Sequence, residues 1–244
     1  NKKKKKEITL DVILSHLRDH LNELRPVTLY NTYNGIPITY EAEVAMIHPD
    51  FIGLIVHPYQ TVCIKQERRT YIESKSFPTL VRAYPVSIDY TNNVVMLKNL
   101  KVPKSISVDL YNSWVTPEEP VKVEIDSDIA EPFSAQLLEI AVLDNNCIRV
   151  VVAVPEDTPY ERQDEASMAF RLEPGGDVIQ VQGVVHSLIK IRNKKLKRLE
   201  VDGNASMGDE ITILAHIAKR EDQIMNDLDQ AYKKLRKGKK SRKR

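Results

Sequence analysis

The stretch "SVDLYNSWVTPEEPVKVEI", residues 107–125, divides the chain in two. It passes the single tryptophan, Trp114, and turns at Pro117-Glu118-Glu119-Pro120. It ends with Val121, Val123 and Ile125 alternating with Lys122 and Glu124. That alternation is the period-two signature of a half-buried strand. With the prolines of "KVPKSISVDLYNSWVTPEEP" (101–120) before it, the segment reads as a polar linker that feeds a domain.

Upstream of the linker the pattern is β-rich. "VTLYNTYNGIPITYEAEVAMIHP" (27–49) holds Asn34-Gly35 between two strand-like runs, a strong hairpin signal. Further short strands are expected in "FIGLIVHP" (51–58), "TVCIKQ" (61–66), "TYIES" (70–74), "LVRAYPVSIDY" (80–90) and "NVVMLKNL" (93–100). One helix precedes them. Residues 7–25 carry Leu10, Ile13 or Leu14, Leu17, Leu21 and Leu24 at three-four spacing, and Pro26 stops the run.

Downstream, six more strands are predicted. They are "VKVEID" (121–126), "SAQLLEIAVL" (134–143), "CIRVVVAV" (147–154), "SMAFRLEP" (167–174), "VIQVQGVVHSLI" (178–189) and "LKRLEV" (196–201). Asn145-Asn146 and Gly175-Gly176 supply turns between them. A closed or nearly closed barrel removes the exposed edges of so many short strands. A helix follows, with Ile217, Ile224, Leu228, Ala231 and Leu235 on one near-heptad stripe and Asp209 and Glu210 at its start. Such a stripe packs on its own barrel or on a partner helix, so a homodimer through this helix is one expectation, with Ile224 and Leu228 as candidate contacts.

The predicted fold is therefore mainly β, an all-β protein with flanking helices. A split or antiparallel N-terminal barrel is followed by a six-stranded barrel and a terminal α-helix. The expected divisions are 1–26 (basic end and amphipathic helix), 27–104 (first barrel), 105–120 (linker), 121–206 (second barrel), 207–237 (helix) and 238–244 (basic tail).

The net charge of +2 conceals an asymmetry. Lys2–Lys6 supply five positive charges, and residues 233–244 supply nine with no acid. The other 22 basic residues share residues 7–232 with all 34 acidic ones, a body of net −12. Basic ends of this kind attach to nucleic acid or an anionic membrane surface, or stay solvated beside an acidic body. Neither end interleaves aromatics, so neither has a base-stacking device.

No apolar run approaches the ~20 residues that span a bilayer. Lys2–Lys6 are followed by no apolar h-region with a small-residue cleavage site, so no secretory signal is expected and a cytoplasmic location is. Cys63 and Cys147 are too few for a disulfide framework and read as free thiols.

No catalytic constellation emerges. Eight glycines are scattered without a phosphate-binding loop, and no Gly-x-Ser-x-Gly elbow is present. His16 and His20 stand at i, i+4 on the first helix, without a third ligand, and read as residues of its polar face. His48, His57, His186 and His216 are isolated. The pairs Glu118-Glu119 and Asp209-Glu210 lie next to turn or cap positions. The expectation is a non-enzyme with no cofactor and no metal.

The order of parts resembles the two-domain bacterial proteins of the flagellar-brake (YcgR) type, in which an N-terminal barrel precedes a PilZ domain. The phrases that carry the resemblance are "VKVEI", "AQLLEIAV" and the helix "DEITILAHIAKREDQI", and it covers most of residues 7–237. It implies a role in bacterial second-messenger signalling, motility or surface behaviour. It also implies two motifs for cyclic di-GMP: Arg-x-x-x-Arg in the linker and Asp/Asn-x-Ser-x-x-Gly on the following strands. Arginine suits a dianion with guanine faces, through permanent charge, a bidentate fork and a flat stacking surface.

This chain departs from both motifs. The arginine positions fall on Leu110 and Trp114, behind Asp109, and residues 105–121 contain no arginine and no lysine. The second motif falls on Glu139, Ala141 and Asp144. Each missing or reversed charge should cost on the order of 1–3 kcal/mol of ligand binding. The expectation is an atypical PilZ-like barrel, without cyclic di-GMP binding by the usual motifs, that works as a protein-interaction adaptor for a signalling or flagellar partner. Tyr111 and Trp114 are large, low-entropy residues of the kind that anchor interfaces. Trp114 also suits a gap-filling role. Whether Arg149, Arg171 or Arg192 converge on the second barrel is the point on which an atypical anion site would turn.

Overall fold

A computed structural model describes residues 9–106, 110–143 and 147–240. It divides into two compact units. The first gathers residues up to Tyr33, Pro37–Tyr111 and the chain from Ile224 onward; the second gathers Asn34–Ile36 and Asn112–Gln223.

In the first unit, helix α1 (Leu10–Glu23) precedes strands β1 (Val27–Tyr33), β2 (Ile36–Ile47) and β3 (Ile52–Ile55). Helix α2 (Pro58–Glu67) follows, then β4 (Thr70–Glu73), β5 (Val81–Asp89) and β6 (Val94–Lys101). The strands close into a barrel in the order β1-β2-β3-β6-β5-β4. Its core is built from alternate strand residues such as Val27, Leu29, Ile52, Leu54, Val95 and Leu97, with Ile13, Leu14 and Leu17 of α1 packed against them. The Asn34-Gly35 turn joins β1 to β2, both residues at positive φ, as a tight hairpin turn requires.

Two expectations fail here. "TVCIKQ" is not a strand but the body of α2. The β-branched Thr61, Val62 and Ile64 favour a strand, but the ends of the segment decide otherwise. The His57 side chain caps the helix by accepting from the Tyr59 N–H, Pro58 occupies the first turn, and Arg68 ends it in the left-handed region. Residues 60–64 are all buried, so no apolar stripe exists for periodicity to find. His20 is likewise not on a polar face. It is buried, with one ring nitrogen 3.0 Å from the Arg25 carbonyl and the other 2.5 Å from the Ser74 hydroxyl.

The second unit holds β7 (Lys122–Ser127), β8 (Ala130–Val142), β9 (Ile148–Pro155), β10 (Glu165–Phe170), β11 (Ile179–Lys190) and β12 (Leu196–Ala205). They close in the order β7-β8-β9-β12-β11-β10. Counted from each barrel's own first strand, this is the order of the first barrel. Val123, Ile125, Val150, Val152, Met168, Val181, Leu199 and Val201 fill the core, and Ile213 and Ile217 of helix α3 (Met207–Lys240) join it. α3 gives its residues up to Gln223 to this unit and those from Ile224 to the other. Ile224 and Leu228 are buried within the chain itself, at 4% and 0% exposure, and so are not surface available to a partner helix. Cys63 is buried and Cys147 half-buried, and both are free thiols.

Candidate functional site on the outer face of the second barrel

Strands β8, β9 and β12 present their outward residues in register. Ala141 pairs with Arg149, which pairs with Asp202; Glu139 pairs with Val151, which pairs with Glu200. A bulge between Leu137 and Glu139 sets this phase. Leu137 and Ile140 enter the core, while Leu138 and Ala141 lie outside beneath Trp114. On β12 the spacing is simpler: Leu199 and Val201 point inward, so Arg198, Glu200 and Asp202 share the outer face.

These side chains form an alternating ion ladder. Arg149 forks onto Asp202 through Nε and through a second nitrogen at 2.6 Å. A third Arg149 nitrogen lies 3.8 Å from Glu200. Arg198 bonds Glu200 at 2.9 Å and Glu139 at 2.6 Å. His186, at the bulge of β11, places Nδ1 3.2 Å from Asp202 Oδ2, the oxygen that also accepts from Arg149. Two arginines thus stand among three carboxylates. The middle of the ladder is buried: the side chains of Arg149 and Glu200 are 10% and 12% exposed. The hydrogen bond to Asp202, with the nearby carboxylate charges, raises the Arg149 pKa against the opposing effect of burial. At Arg198 burial pulls the other way most strongly, yet the hydrogen bonds to Glu139 and Glu200 leave its pKa raised as well.

Trp114 covers the ladder. Its ring packs on Ala141 and Val151, with the Arg149 guanidinium 5.8 Å from the ring centroid, a cation–π arrangement. Backbone bonds hold it in place. The Trp114 N–H donates to Gly35 at 2.8 Å, and Val115 exchanges two 2.9 Å bonds with Ile140, on the part of β8 beyond its pairing with β7. Gly35 leaves room for this approach, because an added Cβ would sit 2.1 Å from the Trp114 carbonyl oxygen.

The linker positions singled out in the sequence therefore part company. Leu110 is buried with Tyr71 and Leu80 of the first unit. Tyr111, 53% exposed, meets Tyr30 edge-on at 5.7 Å. Tyr30 donates to Glu73 at 2.6 Å, and that carboxylate pushes its pKa up to about 12. Trp114, Glu139 and Ala141 come together on the second barrel. Asp109 and Asp144 lie outside the described residues. Of the three arginines in question, Arg149 joins the ladder, Arg171 bonds the Gly176 carbonyl and Arg192 is exposed. Arg198, Glu200 and Asp202 were missed. The alternation in "RLEVD" was the signal for them, since it puts three charges on one face of one strand.

The chain is similar in layout to YcgR-type proteins. It matches the Bacillus subtilis inhibitor of motility MotI/DgrA at 11% identity and a TM-score of 0.42, over 80% of this chain and 95% of that one. It matches Escherichia coli YcgR, solved in complex with c-di-GMP, at 13% identity and 0.40, over 92% and 96%. A third match is the K. pneumonia MrkH–c-di-GMP complex, at 12% identity and 0.36, over 93% and 97%. No family model and no curated protein matches the chain. At these scores the likeness is one of layout alone, and function has to be argued from the residues of this chain.

Among the described residues no group of histidine, cysteine and carboxylate side chains is placed to hold a metal ion, and no helix is long and apolar enough to cross a membrane.

Proposed function

We propose that the protein is an atypical PilZ-type signalling module, which acts as a protein-interaction adaptor and does not bind cyclic di-GMP by the motifs that its resemblance to YcgR-type proteins implies. One observation carries the reading. The two arginines on the outer face of the second barrel, Arg149 and Arg198, are engaged by the chain's own Asp202, Glu200 and Glu139. An incoming dianion would have to displace these carboxylates and would then face them at close range, in a partly buried setting where like charges repel strongly. Trp114 and Leu110, at the expected arginine positions, add no positive charge. Titration calorimetry with cyclic di-GMP tests the reading. No binding heat is expected, and a dissociation constant in the micromolar range or below would overturn it.

The charge asymmetry of the chain supports a second reading, attachment to nucleic acid or an anionic membrane surface through the basic ends. Removing residues 1–6 and 238–244 separates the two. An adaptor keeps its protein partner, whereas an electrostatic attachment is lost, having weakened steeply with added salt.

A further inference from the structure

A groove of about 650 Å³ runs between β7, β10, the loop after β10, the linker and α3, on strands other than β8, β9 and β12, which carry the ion ladder. Its apolar lining includes Val121, Leu172 and Val178. One wall is a face of α3 carrying His216, Lys219 and Arg220, at the i, i+3, i+4 spacing that aligns side chains on a helix.

That wall is short of hydrogen-bond partners. Both ring nitrogens of His216 and Nε of Arg220 are buried and unpaired among the described residues. Folded proteins leave few such atoms unsatisfied, because each forfeits its bonds to water. Burial, the largest influence on His216, holds its pKa below the ordinary range, so at neutral pH the ring offers one N–H and one acceptor. What Arg220 does have is Gln223 and Glu118, and the Glu118 side chain is 58% exposed on the linker. Lys219 is held by Glu173 at 2.7 Å.

We infer that this groove is a binding site for a small amphipathic organic anion. Its carboxylate, sulfonate or phosphate head receives the Arg220 Nε–H and a His216 N–H, on the edge of the guanidinium away from the nitrogen that Glu118 holds. Its apolar body lies on Val121, Leu172 and Val178. Glu118, on the opposite edge of the same guanidinium, is then a like charge that opposes the head. The two donors that lack partners are the ones an anionic oxygen satisfies, and a planar guanidinium holds such a head in two-point fashion.

The probe is 8-anilinonaphthalene-1-sulfonate, a fluorescent amphipathic anion, added to the full chain. Saturable one-to-one enhancement is expected. Glu118→Gln, which removes that like charge, should tighten it at least threefold. Arg220→Gln should weaken it about tenfold, with Arg220→Lys recovering part of the loss. Because partly unfolded chains also bind this dye, the gain counts only in a Glu118→Gln protein whose melting temperature is unchanged. Displacement by benzoate and by phenyl phosphate, with benzyl alcohol as the uncharged control, tells a carboxylate preference from a phosphate one. Dye that does not bind, or that binds without response to either substitution, overturns the site. So does a signal lost instead in Leu214→Ser, on the exposed face of α3, or displacement by benzyl alcohol as effective as by the anions.

Discussion

The two barrels share a strand order and solve the same structural problems with different chemistry. In each, the third strand must cross to the fourth. In the first barrel the crossing is α2, whose Ile64 enters the core and whose Gln60 and Glu67 reach the buried Asn31 amide. Asn31 is the hub of a network, with Thr70 donating to its carbonyl oxygen at 2.7 Å and its amide donating to the Arg69 carbonyl at 2.8 Å. In the second barrel the crossing is an irregular loop, with Tyr160 plugged into the core and its hydroxyl 2.8 Å from Ser127. The buried polar side chains of the first barrel, such as Asn31, Gln60 and Thr70, are uncharged and enclosed. Those of the second are charged and mounted outside, under Trp114. A shared topology thus leaves the placement of polar chemistry open.

The largest test of this contrast is Arg149→Ala. It leaves Glu200 and Asp202 without their shared cation in a mostly buried place, and a loss of about 4 kcal/mol is expected in denaturant unfolding. A loss below ~1 kcal/mol would mean that the ladder behaves as an ordinary surface pair. Trp114→Ala should cost about 3 kcal/mol, because it uncovers Ala141 and Val151 as well as removing the ring. An unchanged melting temperature with a weakened partner would instead make Trp114 an interface anchor. The two crossings are compared by Ile64→Ala, expected to cost about 3 kcal/mol, and Tyr160→Phe, about 1 kcal/mol for one hydrogen bond with the packing kept. If the two losses came out equal, the Tyr160 hydroxyl would be structurally as important as a core side chain.

The smallest effect concerns pH. Burial lowers the pKa of His57 in the first barrel and of His216 in the second. In the unfolded chain both return to the ordinary value near 6.5, so below about pH 6.5 the unfolded state takes up protons that the folded state resists. Stability should therefore fall as pH drops from about 7.5 towards 5.5. His216→Gln and His57→Gln should each flatten that decline in a melting-temperature series. A decline equally steep in both variants would assign it to other groups.

Much of this fold could be read in advance because strands such as β1, β7 and β10 alternate, and alternation survives any context that buries one face. Val123 and Ile125, or Leu199 and Val201, needed nothing else. α2 escaped because every residue from 60 to 64 is buried, which erases the periodicity that separates helix from strand. The site was half legible. The absence of arginine from the linker was plain, but that Leu110 and Trp114 serve different barrels was not. The ladder depends on cross-strand register and on the β8 bulge, and register is a property of pairing that one strand does not display.

The ladder also bears on how this face meets water and ions. Two guanidinium groups matched to three carboxylates leave a formal charge of −1 between them, spread over bonds that are already made. Such a face holds no atmosphere of condensed ions, and a molecule docking there has none to release. The logarithm of its affinity plotted against the logarithm of salt concentration should run nearly flat, where binding through the basic ends would slope steeply. Salt dependence alone can then report which part of the molecule a partner has found.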